Sequence, residues 1–236
     1  NAFVCGSVGL FMRTTNGGLN WNTLNLGTIA NLNGIYFTSA LTGYISAGSG
    51  DVYKTTNSGV NWIVQPTGLA TPLNSICFTD INNGFAGGFQ GKMVKTTNGG
   101  LNWSLLTTGI TQLINKVNAI DPQNVYAVSD NSRFISTSNG GVNWSVSILS
   151  EANNNSLKSV FFTDINTGFI NGAYGTQLKT TNCGINWTPG FAGTNTTGFS
   201  ISFPSANTGY AGLYIGKLLK TTNAGVSWTR QVIMQV

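Results

Sequence analysis

Residues 54–62 read KTTNSGVNW, from Lys54 to Trp62. The phrase returns as RTTNGGLNW at 13–21, KTTNGGLNW at 95–103, STSNGGVNW at 136–144, KTTNCGINW at 179–187 and KTTNAGVSW at 220–228. The six copies hold all six tryptophans, Trp21, Trp62, Trp103, Trp144, Trp187 and Trp228, at spacings of 41, 41, 41, 43 and 41 residues. A self-similar period of about 40–50 residues marks propellers and related arrays.

Each period divides into four short strand-like runs bounded by Gly, Asn, Ser or Thr. In the second they are NGIYF (Asn33 to Phe37), YISAG from Tyr44, VYKTT (Val52 to Thr56) and a run starting at Trp62. Equivalent positions keep their character. Phe3, Tyr44, Phe85, Tyr126, Phe169 and Tyr210 are all aromatic, and Met12, Tyr53, Val94, Ile135, Leu178 and Leu219 are all large and apolar. Clean in–out alternation is lost, as expected of strands covered on both faces by neighbours. No helical period occurs. The expectation is an all-β chain, a β-propeller of about six four-stranded blades. It forms one domain over 1–236 with blades at 1–29 (partial), 30–70, 71–111, 112–154, 155–195 and 196–236.

The nonapeptide then reads as a corner between the third and fourth strands of each blade. Asn57 is expected to organise the turn by local hydrogen bonds and a left-handed backbone, and Gly59 to supply freedom beside it. Val60, with Leu19, Leu101, Val142, Ile185 and Val226, is expected to turn back into the core, and Trp62 to cover the hairpin with its N–H paired.

Composition bounds the rest. Charged residues are 7% of the chain, far below the usual ~25%; Asn, Thr, Gly and Ser supply the polar surface, as in many secreted and cell-surface β proteins. The net charge of +5 comes with no Lys or Arg run, which argues against a nucleic-acid binder. No 18-residue apolar run is present, so no membrane span is expected. Cys5, Cys77 and Cys183 fall at non-equivalent repeat positions and read as reduced thiols, Cys183 in an exposed turn.

T/S-x-N-x-G-x-x-W resembles the Asp-box, or bacterial neuraminidase repeat. KTTNGG and the turn TDINNGF are most similar to the photosystem II assembly-factor-like propellers, and to propeller regions of secreted Bacteroidota proteins that carry type IX sorting domains. The resemblance covers the whole chain and implies the propeller fold. Asn stands where the family has Asp, which keeps the turn and removes a metal role for that side chain. Sialidases share the box and use an arginine triad; here Arg13 and Arg230 lie beside boxes, off the face such a site needs. Xyloglucanases use two carboxylates between two propellers, which one small propeller does not supply. The assembly-factor propellers carry an Arg-rich binding patch, and Arg13, Arg133 and Arg230 are scattered.

The residues point the same way. The chain has no histidine, which removes the usual general base. Asp80, Asp121 and Asp164 share one position between first and second strands, where Ser39 and Ser205 stand in other blades, and read as turn-makers. Lys54, Lys95, Lys179 and Lys220, with Arg13, form a repeated basic position at which Ser136 is the exception. It reads as stems over the strands with heads in water, or as an anion-attracting girdle.

The turns joining strands one to two and three to four are near-identical between blades. The loops between strands two and three (GSG, GFQG, SDNS, GAYG, LYIG) and those between blades diverge. Divergent loops on a repeated scaffold are where function sits. The candidate ligand-binding residues are Phe89, Asp130, Arg133, Tyr174 and Tyr214, with Lys116 and Phe161 pointing from first strands toward the channel. No catalytic residue, metal site or cofactor is expected. The expected function is a non-enzymatic, secreted or surface-displayed bacterial module for protein interaction or adhesion; the alternative is a carbohydrate-binding propeller, then a glycoside hydrolase. The partner is a protein or a surface glycan, not a nucleic acid.

Asn1 opens into a strand-like segment without a signal-sequence pattern, so any leader is expected to have been removed. NAFVCGS aligns with a second strand, and only eight residues follow Trp228 where 14 separate Trp21 from Ile35. Either VIMQV reaches the first blade by a shorter path, or the chain is a fragment of a six- or seven-bladed ring.

Overall fold

A computed structural model describes residues 1–190 and 195–232. Residues 233–236, most of the VIMQV segment, lie outside the described residues. The chain divides into two compact units, Asn1–Ile114 and Asn115–Val236.

The first unit holds three antiparallel sheets. They are β1 (Ala2–Cys5), β2 (Leu10–Thr14) and β3 (Asn22–Asn25); β4 (Leu32–Phe37), β5 (Gly43–Ala47), β6 (Val52–Thr55) and β7 (Ile63–Gln65); and β8 (Leu73–Phe78), β9 (Gly84–Gly88), β10 (Met93–Thr96) and β11 (Ser104–Leu106). The second holds β12 (Ile114–Ala119, opening at the boundary), β13 (Val125–Ser129), β14 (Arg133–Thr137) and β15 (Ser145–Ile148); β16 (Leu157–Phe162), β17 (Gly168–Gly172), β18 (Gln177–Thr180) and β19 (Thr188–Pro189); and β20 (Gly198–Ser202), β21 (Gly209–Leu213), β22 (Lys217–Thr221) and β23 (Thr229–Gln231). Each sheet is a meander in chain order. They are the six blades of a β-propeller, with helix confined to four three-residue 3₁₀ turns among the described residues. The first sheet has three strands, in line with the absence of a first-strand pattern before Phe3.

Burial explains the blurred alternation. Every residue of β5, β9, β13 and β17 is buried, so the second strand of these blades is covered on both faces. Aromatic rings join blades within each unit. Phe3 stacks on Phe37 (4.0 Å between ring centroids), Tyr44 on Phe78 (3.8 Å), Tyr126 on Phe162 (3.7 Å) and Phe169 on Phe203 (4.2 Å). The box tryptophan of the later blade then meets that Phe edge-on, as Trp62 meets Phe37, Trp103 Phe78, Trp187 Phe162 and Trp228 Phe203. Edge-to-face packing suits the ring quadrupoles. The tryptophan therefore seals the seam between blades more than it covers its own hairpin.

The box itself departs from expectation in three respects. The left-handed residues are the two after the asparagine, such as Ser58 and Gly59 or Cys183 and Gly184, not the asparagine. Leu19, Val60, Leu101, Val142, Ile185 and Val226 are not in the core: all are 53–83% exposed. After the left-handed pair the chain has reversed, and in the second, third, fifth and sixth blades the inward slot is taken by a ring of the preceding blade, Phe11, Tyr44, Phe134 and Phe169 in turn. A Cβ on Gly184 (φ +81) would lie 2.6 Å from Phe134, so glycine is required there on both counts. The indole N–H is paired at Trp187, which donates to the Gly184 carbonyl (3.1 Å), but not at Trp62, Trp103 or Trp144.

Candidate functional site

Two kinds of turn surface flank each blade, and hydrogen bonds show which belong together. The corner after the third strand docks on the turn after the first: Ser58 N–H donates to Leu41 O (2.8 Å), Gly99 to Asn82 O (2.9 Å), Gly140 to Gln123 O (2.9 Å), Cys183 to Asn166 O (3.0 Å) and Ala224 to Asn207 O (2.9 Å). The loop after the second strand docks on the segment that enters its own blade, Phe89 N–H donating to Pro72 O, Ala173 to Ser156 O and Tyr214 to Thr197 O, whereas in the fourth blade Ser132 N–H donates to Asn155 O in the segment that enters the fifth, each at 2.8 Å.

The repeated corner is internally satisfied by a residue that the sequence reading passed over. The buried threonine two places before the box asparagine receives the N–H of the second glycine position and donates to the asparagine. In the third blade Thr96 Oγ1 accepts Gly100 N–H (2.9 Å) and donates to Asn98 Oδ1 (3.0 Å), which in turn accepts Asn102 N–H (3.0 Å). Thr14, Thr55, Thr137, Thr180 and Thr221 do the same. The signal was in the phrase KTTN, whose first threonine recurs in every copy.

The acidic turn-makers behave as expected. Asp80 Oδ1 accepts the backbone N–H of Asn82 (2.7 Å) and Asn83 (2.9 Å), and Asp121 and Asp164 repeat the pattern. The Asn83 side chain, then these backbone bonds, hold the Asp80 carboxyl below its usual range. At Asp121 and Asp164 burial pushes the carboxyl up, and the turn hydrogen bonds together outweigh it and leave it low.

Lysine heads do not simply reach water. Lys54 Nζ lies 5.5 Å from the Tyr44 ring centre and donates to Gly99 O of the next blade (2.6 Å); Lys179 lies 5.5 Å from Phe169 and donates to Ala224 O (2.8 Å). Lys95 and Lys220 lie over Phe85 and Tyr210 in the same way. The position packs on a ring of its own blade by cation–π contact, and Lys54 and Lys179 also tie their blade to the next by a hydrogen bond.

The divergent loops place the candidate residues differently from one another. Gln90–Gly91, Tyr174–Gly175 and Ile215–Gly216 are consecutive positive-φ pairs, the backbone of a tight two-residue hairpin. The first residue of each pair is thrown outward, and Tyr174 is 78% exposed. Phe89 and Tyr214, each one residue earlier, are also exposed, and Tyr214 lies 6.3 Å from the Phe199 ring. Asp130 is committed elsewhere. It accepts from Asn115 Nδ2 (2.9 Å) and Ser156 Oγ and faces Lys158 Nζ at 3.5 Å. Burial pushes its carboxyl up, and these donors outweigh it and leave it low. The cluster joins the fourth and fifth blades. Arg133 opens β14, with its Nε buried and unpaired. Lys116 lies on β12 and is half-buried; Phe161 on β16 is half-buried and stacks 6.0 Å from Phe203, a packing role. No hydrogen bond or ion pair among the described residues joins Asp130 or Arg133 to Tyr174 or Tyr214.

Cys5, Cys77 and Cys183 are not in disulfides, and Cys183 is half-buried rather than exposed. No cluster of three His, Cys, Asp or Glu fit for a metal occurs among the described residues. No helix among them is long and apolar enough to cross a membrane.

The family model described as Photosynthesis system II assembly factor YCF48 matches residues 97–235, more than half of the chain. The chain belongs to the YCF48 family. Among solved structures, "YCF48 bound to D1 peptide" is 19% identical with a TM-score of 0.77, over 97% of this chain and 76% of that one. YCF48 from Cyanidioschyzon merolae is 16% identical with a TM-score of 0.73, over 93% of this chain and 78% of that one. A GH74 enzyme from Niastella koreensis is also similar, at 16% identity and a TM-score of 0.75, but this chain covers only 43% of it. At these identities the likeness establishes the propeller fold. No curated protein matches the chain.

Proposed function

We propose that this YCF48-family propeller is a protein-interaction module that binds a peptide segment of a partner and performs no chemistry. The observation that carries this reading is the contrast between turn surfaces. The repeated corners commit their buried threonine hydroxyl and asparagine Oδ1 to their own backbone. The divergent loops instead put Phe89, Tyr174 and Tyr214 into solvent on tight turns, and rigid exposed aromatics suit recognition hot spots. A family relative solved with a bound D1 peptide supports a peptide as ligand. Each carboxylate also has local work: Asp51 and Glu151 accept from Ser49 (3.0 Å) and Ser150 (3.2 Å), and the others are held as described. The low charge content further supports a secreted or surface-displayed protein, which fractionation of the source cells would check.

The test is selection of peptides from a random library on the purified chain, followed by affinity measurement. Phe89→Ala in the first unit and Tyr174→Ala with Tyr214→Ala in the second are assayed separately. At least one set should lose binding tenfold or more with an unchanged unfolding midpoint. A chain that selects no peptide yet binds a glycan array through Tyr174 and Tyr214 would replace this reading with the carbohydrate one. Turnover of chromogenic glycosides would overturn both.

A further inference from the structure

The fourth blade is built without its lysine. In the second and fifth blades the third-strand lysine completes a small ammonium site, with an aromatic ring of its own blade below and a corner carbonyl of the next blade ahead. Tyr44 pairs directly across strands with Lys54, and Phe169 with Lys179. Tyr126 pairs with Ser136. By repeat position the carbonyl waiting for that lysine is Cys183 O, the equivalent of Gly99 O and Ala224 O.

Neither usual donor is directed at it. Ser136 has no stem to bridge the distance. The Tyr44 hydroxyl donates to Gly99 O (3.1 Å), but the Tyr126 hydroxyl donates to Ile165 O instead (3.3 Å). A cavity of about 360 Å³ lies there, and its walls include Tyr126, Ser136, Trp144, Ile165 and Cys183.

We infer that this cavity is a binding site for a primary alkylammonium group, which takes the place of the missing lysine over Tyr126 and against Cys183 O. The cavity wall carries no Lys or Arg. The nearby charges are acidic. Burial first, then electrostatic coupling to Cys183, Asp121 and Asp164, pushes the Tyr126 hydroxyl up to about 12, so the ring stays neutral at physiological pH. Neutral aromatic faces attract ammonium ions, more strongly where water is excluded. The site lies by the repeated corner, away from the loops proposed above to bind peptide, and does not depend on that reading.

The experiment follows the Trp144 indole N–H by NMR, its signal assigned with Trp144→Phe, during titration with n-butylammonium chloride against sodium chloride at equal ionic strength. A saturable shift is expected in the wild type and in Ser136→Ala, at least tenfold weaker in Ser136→Lys, and absent with 1-butanol. Should Ser136→Lys fail to fold, Ser136→Met must show the same loss, because its stem fills the cavity. Nα-acetyl-lysine N-methylamide separates the sources. Its binding assigns the site to lysine side chains of a partner chain, and its exclusion while butylammonium binds assigns it to free amines. No saturable shift in the wild type, equal binding by butanol, or undiminished binding in the filled variants would overturn the inference.

Discussion

Thr96→Val isolates the hydrogen bonds that shape the corner, because valine keeps the volume and branching of threonine. Thr96 is 1% exposed. Its Oγ1 accepts the buried Gly100 N–H at 2.9 Å and the Asn98 N–H at 3.3 Å, and donates to Asn98 Oδ1 at 3.0 Å. Loss of the acceptor leaves the Gly100 N–H buried and unpaired, at about 1–3 kcal/mol, and the bond to Asn98 adds about 1 kcal/mol. The extra buried methyl offsets roughly 0.8 kcal/mol. The net expectation is a destabilisation of about 1–3 kcal/mol. Thr97, the next residue, is exposed, and Thr97→Val should stay within about 0.5 kcal/mol. Urea unfolding followed by tryptophan fluorescence compares the two, with equal slopes required before midpoints are converted to free energy. Equal midpoints for the two variants would refute the assignment of the corner to the buried threonine.

Trp187→Ala should cost about 3–5 kcal/mol, as large core truncations do, since Trp187 is 4% exposed and meets Phe134 and Phe162 edge-on; Trp21→Ala, at 37% exposure, should cost much less in the same assay. Leu101→Ser should leave the midpoint within about 0.5 kcal/mol, because Leu101 is 68% exposed; a large loss would return that position to the core. Folded carboxyls held below their ordinary value of 3.8 add stability that is present above that pH and lost as pH falls through the lower folded value. The triple variant Asp80→Asn, Asp121→Asn, Asp164→Asn should therefore show a shallower fall of the unfolding midpoint between about pH 5 and pH 2 than the wild type. An unchanged slope would show that these turns are not the source.

The period of the tryptophans was enough to reach the propeller and its four-stranded blades, with strand ends within about one residue in the second blade, because each blade must bury the same face and so repeats the same residues. The turn role of Asp80, Asp121 and Asp164 was equally legible, since a carboxylate reaching backbone N–H groups two and three residues ahead is a local device. What the repeat could not reveal is where a side chain goes once a second blade arrives. Val60 and its five counterparts looked like core residues by hydrophobicity and face water instead; at Val60, Leu101, Ile185 and Val226 the preceding blade's ring already fills the slot. Lys54 looked solvated, and its head is captured by a carbonyl 45 residues away. Asp130 looked available as a loop residue and is consumed by Asn115, Ser156 and Lys158 from two blades. Ser136 was visible as the exception in its column, but that the exception leaves a cavity depends on Tyr126, Trp144 and Cys183 meeting around it. Local hydrogen bonding is written in short sequence intervals, whereas seam packing joins residues about one repeat apart. Only the folded stack of blades decides the latter.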